Sequence, residues 1–201
     1  MSHKGSHTTA DYIDWYKLES LYMYLYKNDQ YKLSLFVCIA MYTGLRVGDI
    51  LSLKWSDIQK RDIEIYERKT KKYRKIRINE NLQAHISKTY LELSNSNLRS
   101  LRIQGDTEFA FTNKYRNSTI SRQYINQRLK HYAKKLRIKD VNISTHSLRK
   151  SFGRRVWENN NHDDRSLIIL SEMFNHSNIA ITRRYLGIRQ SEIFDVYESL
   201  D

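Results

Sequence analysis

Apolar residues near the start of the chain recur at helical spacing. Tyr12, Trp15, Tyr16, Leu18, Leu21, Tyr22, Tyr24 and Leu25 predict a helix over about 11–27. A second helix is expected over 31–42, ending at Gly44, and a third from near Arg46, carrying Val47, Ile50, Leu51 and Leu53. The period then drops to two. Asp62 to Glu67 alternates polar and apolar, as does Arg74 to Ile78, with Arg68-Lys69-Thr70-Lys71-Lys72 between them, which reads as an antiparallel hairpin with a basic tip. Asn79 is placed to cap a helix bearing Leu82, Ile86, Tyr90 and Leu93. After a polar loop over 94–100, a short strand is expected at 108–111. A basic helix then starts at Ser118 or Thr119 and reaches Leu136. Ser144 or Thr145 can cap a helix holding His146 and Arg149, and further helices follow over 164–174 and 179–185. A last helix, 192–200, is expected to bury Ile193, Val196, Tyr197 and Leu200. The fold class is therefore mainly α with a small antiparallel β-sheet. Residues 1–10 are polar and unpatterned and read as a flexible leader.

Composition narrows the class. The 201 residues, 40% hydrophobic and 28% charged, suit one folded domain with a core. The net charge of +13 points to a polyanionic partner, most simply nucleic acid. Its distribution strengthens the point: Lys114 to Arg155 holds 13 Lys or Arg against the single acid Asp140. By contrast, the last ten residues carry four acids and no base. The one cysteine, Cys38, lies in an apolar run and excludes an intrachain disulfide, which suits an intracellular, cytoplasmic protein. No apolar run reaches membrane-span length.

Candidate chemistry lies in an ordered set of residues. Cutting a phosphodiester without metal requires a nucleophile, charge stabilisation of the pentacoordinate transition state, and a proton donor and acceptor. Arginine suits the second task through its planar, permanently charged fork, and histidine suits the third. His146 and Arg149, three apart, share a helix face. Arg46 follows Gly44-Leu45, and His176 precedes Tyr185 by nine residues. Each residue alone reads more simply as a surface or packing residue. The basic helix offers Arg122, Gln123, Asn126 and Lys130 for phosphate or base-edge contacts, and Lys71, Lys72 and Lys150 add basic positions for DNA.

The whole set resembles the catalytic domain of the tyrosine recombinases, the phage integrase family. Thr43-Gly44-Leu45-Arg46, the hairpin Lys69, His146-Ser147-Leu148-Arg149, His176 and Tyr185 match the family's motifs in order, over about residues 11–190. The resemblance implies a catalytic domain over 11–189 and a tail helix over 190–201. It also implies that Tyr185 attacks a DNA phosphate to form a 3′-phosphotyrosyl bond, that Arg46 and Arg149 clamp the non-bridging oxygens, and that Lys69 protonates the leaving 5′-oxygen. His146 helps accept the tyrosine proton, His176 hydrogen-bonds the phosphate, and Asp49 supports Arg46. No cofactor or metal is implied, because the covalent bond conserves the energy of the broken one. The expected partners are double-stranded DNA and three further copies of the chain, with a monomer in solution and the tail helix docking on a neighbour.

Three features depart from the family pattern. Asn175 stands where a glycine is usual, the interval from Arg149 to His176 is a few residues longer, and there is no room for the separate N-terminal DNA-binding domain of most members. The chain is thus expected to be either an excised catalytic domain or a one-domain recombinase. Two other readings stay open at this point: a type IB topoisomerase, and a non-catalytic DNA-binding protein on the same fold.

Overall fold

The computed structural model describes residues 10–67, 69, 71–138 and 142–200. Its elements are α1 (Trp15–Lys27), α2 (Tyr31–Thr43), α3 (Val47–Leu51), α4 (Trp55–Ile58), β1 (Asp62–Tyr66), β2 (Tyr73–Arg77), α5 (Glu80–Ser94), α6 (Arg122–Lys135), α7 (Thr145–Asn159), α8 (Asp164–Phe174), α9 (Ile179–Leu186) and α10 (Ile188–Glu198). The chain is mainly helical with one small antiparallel sheet, as its periodicity implies.

Helix α2 is the spine. Ten of its residues, Leu33 to Met41 and Thr43, are buried, and it packs against α1, α3, α5 and α7. It stops at Gly44, which adopts φ +59°, and a Cβ there would meet the Phe152 ring at 2.4 Å. Only glycine meets both demands, the left-handed backbone and the close ring. Strands β1 and β2 pair in register from Asp62 opposite Arg77 to Tyr66 opposite Tyr73, and Ile63 enters the core. The Asn79 side chain accepts from the Leu82 N–H and so caps α5, as expected.

Several expectations are corrected. The basic helix α6 begins after Ser121, whose Oγ accepts from the Tyr124 N–H at 3.0 Å, not at residue 118 or 119. Segment 108–111 forms only an isolated bridge, Lys54 opposite Phe109, where Ala110 N–H donates to Leu53 C=O at 2.9 Å. Ala10 is buried, so the packed body begins inside the expected leader; residues 1–9 lie outside the described residues. Helix α10 starts at Ile188, four residues early, and its apolar stripe is not buried. Ile193, Val196, Tyr197 and Leu200 are 38%, 62%, 68% and 77% exposed.

Two buried clusters result. The larger joins α1–α5, β1, α6 and Leu148 of α7. The smaller gathers Phe152 of α7 with Leu167, Leu170 and Phe174 of α8, Leu186, and Ile188. Helix α7 belongs to both, and Arg149 lies between Leu148 and Phe152.

Candidate active site

The residues marked in the sequence come from five places in the chain. Arg46 follows the Gly44 turn. Lys69 is exposed at the tip of the hairpin. His146 and Arg149 are on α7, whose start is set by a reciprocal pair of bonds: Ser144 Oγ accepts from His146 N–H, and Ser147 Oγ accepts from Ser144 N–H. The Asn126 side-chain oxygen adds a bond from Thr145 N–H at 2.9 Å, joining α6 to α7. His176 follows α8, which ends in Asn175 with φ 52°. Asparagine tolerates this left-handed position, so its side chain replaces the usual glycine there without breaking the turn. Tyr185 is on α9.

The fold brings these together. The Arg46 Nη2 donates to the Phe174 carbonyl at 2.8 Å, and the Arg149 Nη2 reaches the same oxygen at 3.4 Å. The Arg149 Nη1 donates to the Gly44 carbonyl, and its guanidinium lies 4.2 Å from the Phe174 ring centre. Burial lowers the Arg149 guanidinium to about 10, opposed by the Tyr185 phenol. At that value it remains charged at neutral pH.

Tyr185 packs edge-on against His176 (5.4 Å between ring centres) and Phe174 (5.6 Å), and its hydroxyl is shut off from solvent. Burial pushes the phenol up to about 12, while Arg149 and Arg46 pull it the other way. Burial, with the charges of Arg149, Arg46 and Lys69, lowers His176 to about 4. Its Nδ1 lies 2.9 Å from the buried Thr182 Oγ1, one turn before Tyr185. A threonine hydroxyl donating there leaves Nε2 carrying the proton. His146 is lowered by desolvation and by Arg122, Arg149, Lys150 and Lys69. The Lys69 charge acts in the same direction on both histidines.

Other marked residues take more specific positions. Among the described residues Glu67 pairs with Arg46, Nη1 to Oε2 2.7 Å, a carboxylate that sequence reading left unmarked. Asp49 is buried on α3 and its charge acts on Arg74. Lys72 is bound to Asn175 Oδ1 at 2.7 Å, so it latches the hairpin to the His176 turn. Lys150 lies 5.4 Å from the Tyr185 ring centre, beside the tyrosine. Lys71, Arg122, Gln123 and Lys130 are exposed, the last three on one basic helix. Glu67, Arg74 and Thr182 were missed. Only the placement of Glu67 two residues before Lys69 could have flagged one of them.

The profile of the phage integrase family matches residues 11–192. The chain belongs to the phage integrase family. A probable integrase/recombinase, YoeC, of Bacillus subtilis (strain 168) is 28% identical over 183 residues, covering 90% of this chain and 91% of that protein. Among solved structures, XerA recombinase superposes with a TM-score of 0.68 at 22% identity, covering 99% of this chain and 66% of that one. XerH bound to palindromic difH substrate, in a post-cleavage complex, gives 0.67 at 21% identity, covering 94% and 54%. The lambda integrase catalytic core gives 0.54 at 16% identity, covering 88% and 91%. This phage integrase family member thus has the fold of the tyrosine recombinases and is a tyrosine recombinase by family. Neither a topoisomerase nor a non-catalytic binder is favoured. No described helix is long and apolar enough to cross a membrane.

Proposed function

We propose that the protein cuts and rejoins duplex DNA at specific sites through a phosphotyrosyl bond on Tyr185. One observation carries the reading: Arg46 and Arg149 both reach the Phe174 carbonyl oxygen, beside His176 and Tyr185. Two guanidiniums that can share one acceptor atom can share one phosphate. Tyr185 Oη attacks phosphorus, the bond to the 5′-oxygen breaks, and the 3′-phosphate stays on the enzyme. Arg46 and Arg149 hold the non-bridging oxygens. Neutral His176, with Thr182 on Nδ1 and the proton on Nε2, donates a third hydrogen bond to phosphate. His146 takes the phenolic proton, and Lys69 supplies the proton that the departing 5′-oxygen needs. Attack by a second 5′-hydroxyl reverses the step and exchanges strands.

DNA as partner is supported by the basic run over Lys114 to Arg155 and by relatives solved on DNA: XerH on difH, and a lambda integrase dimer on a COC′ core site. The acidic α10 with its exposed Ile193, Val196 and Tyr197, and exposed Leu200 just after it, supports assembly of copies on DNA, tail against neighbour, into a tetramer. Deleting residues 193–201 should abolish higher assembly on DNA while leaving single-copy binding.

The primary test is covalent trapping on a pool of nicked duplexes of random sequence, quenched in detergent. The protein should form an adduct, and Tyr185→Phe should lose it by at least ~10³-fold while binding DNA as before. An adduct that persists in Tyr185→Phe would overturn the mechanism. Relaxation of supercoils with no exchange between two duplexes would favour topoisomerase action instead.

A further inference from the structure

We propose that Arg74 is a positioning residue for strand cleavage, holding the β-hairpin so that Lys69 at its tip meets the departing 5′-oxygen. The proposal rests on the reading of the site just given. Arg74 is on β2, and its half-buried guanidinium binds three separate segments. Its Nη1 donates to Glu67 Oε1 at 3.3 Å and to the Met173 carbonyl at 3.1 Å, and its Nη2 to the Thr43 carbonyl at 3.3 Å. Each acceptor stands just before a residue assigned to the chemistry. Thr43 is three residues before Arg46, Met173 three before His176, and Glu67 two before Lys69. One side chain thus ties together the turns that present an arginine, a histidine and the lysine.

The three turns do not depend on Arg74 equally. The end of α2 is buried in the larger core, and Arg149 also binds its Gly44 carbonyl. The end of α8 is anchored by the buried Phe174 ring, and Arg46 and Arg149 both reach the Phe174 carbonyl. The hairpin has only two strands, an arrangement with little stability of its own. Ile63 and Ile78 fix its base in the core. Towards its tip, among the described residues, the fastenings include Glu67, paired with Arg46 and Arg74, and Lys72 on Asn175. Loss of Arg74 therefore falls first on the hairpin, and so on proton delivery by Lys69.

The guanidinium is also held where a cation is costly. Burial lowers Arg74, and Arg46 beside it acts the same way, with Glu67 opposing both. A buried carboxylate between two cations loses part of its compensation when one of them is removed.

The chemistry offers a test that separates positioning of the proton donor from general damage. In a substrate whose bridging 5′-oxygen is replaced by sulfur, the P–S bond breaks to release a thiolate. A thiol of pKa ~8.5 departs without a proton, so such a substrate bypasses the general acid. Adduct formation would be timed on nicked duplexes carrying the sequence enriched by trapping, with either oxygen or sulfur at the bridge. Arg74→Met should be slowed about 100-fold on oxygen and about tenfold or less on sulfur, because displacement of a catalytic group by an ångström costs on that order. Lys69→Met should show the same split, and Arg46→Ala should stay slow on both. DNA binding by Arg74→Met should fall by less than about tenfold, since the proposal gives Arg74 no phosphate contact. Wild-type rates, equal slowing on both substrates, or a binding loss as large as the rate loss would each overturn the proposal. If Arg74→Met loses its cooperative melt, Arg74→Lys, which keeps the charge and loses the planar fork that reaches three acceptors, is read by the same split. Failure of the wild type to form a Tyr185-dependent adduct on either substrate would overturn the reading of the whole site, a result distinct from any of these.

Discussion

The two buried clusters hold different halves of the proposed site. The larger one, built on α2, carries Arg46 at its edge and supports the base of the hairpin. The smaller one, around Leu167, Leu170 and Phe174, carries His176 and Tyr185, and the Tyr185 ring itself packs on it. Arg149 sits on the helix that spans both. The larger cluster has many mutually supporting side chains, so a defect there is paid in stability of the whole. The smaller has few, so a defect there displaces the proposed nucleophile before it unfolds the protein. Bonds across the seam, from Arg46 and Arg149 to Phe174, join the two clusters at the proposed phosphate site.

The largest expected effect on stability is in the first cluster. Phe36→Ala removes a fully buried ring that packs edge-on against Phe111 at 5.8 Å. It should cost about 3–5 kcal/mol in denaturant unfolding. A cost below about 1 kcal/mol would mean that this cluster is not the stabilising one.

The second cluster should respond in the opposite sense. A Cβ at Gly153 would meet Leu186 Cδ2 at 2.5 Å and Phe174 Cε2 at 3.1 Å. Gly153→Ala should cost only about 1–3 kcal/mol, yet slow adduct formation about 100-fold by pushing α9 and Tyr185 outward. Equal proportional losses of stability and rate would erase the distinction between the clusters.

Acid should act on both. His85, buried between α2 and α5 with Nε2 2.9 Å from Ser34 Oγ, and His176 are each lowered to about 4, chiefly by burial. A lowered histidine binds fewer protons folded than unfolded between its ordinary value of 6.5 and about 4. Stability is therefore full above about pH 6.5 and falls as pH drops towards 4. His85→Asn should flatten the dependence of Tm on pH over this window, and a melt with unchanged slope would remove His85 from the account.

The smallest effect is expected at the tail. Deleting residues 193–201 should change the stability of the single chain by less than about 0.5 kcal/mol, because the α10 stripe buries little against its own domain. A large loss of Tm in dilute protein would show that the tail is part of the second cluster.

Much of the fold was legible. Helix α2, the hairpin and the caps at Asn79 and Ser144 follow from local rules of period and end chemistry. The ordered set from Arg46 to Tyr185 was also legible, and the fold brings most of it to one place. Glu67 and Arg74 were not, since both read as ordinary strand-end charges until their partners are seen. Thr182 was hidden for the same reason. The stripe on α10 misled, because an apolar face shows that burial is wanted but not against which surface.

What the sequence by itself determined is the set of elements and the list of candidate reactive groups, since spacing, capping and side-chain chemistry act over a few residues. What only the tertiary structure decided is which of these groups meet: Arg46 and Arg149 on one carbonyl oxygen, His176 against Tyr185. Arg46 meets Glu67 across 21 positions and the Phe174 carbonyl across 128. A buried guanidinium must find its acceptors wherever the packed helices bring them, and no local pattern encodes contacts set by the meeting of two cores.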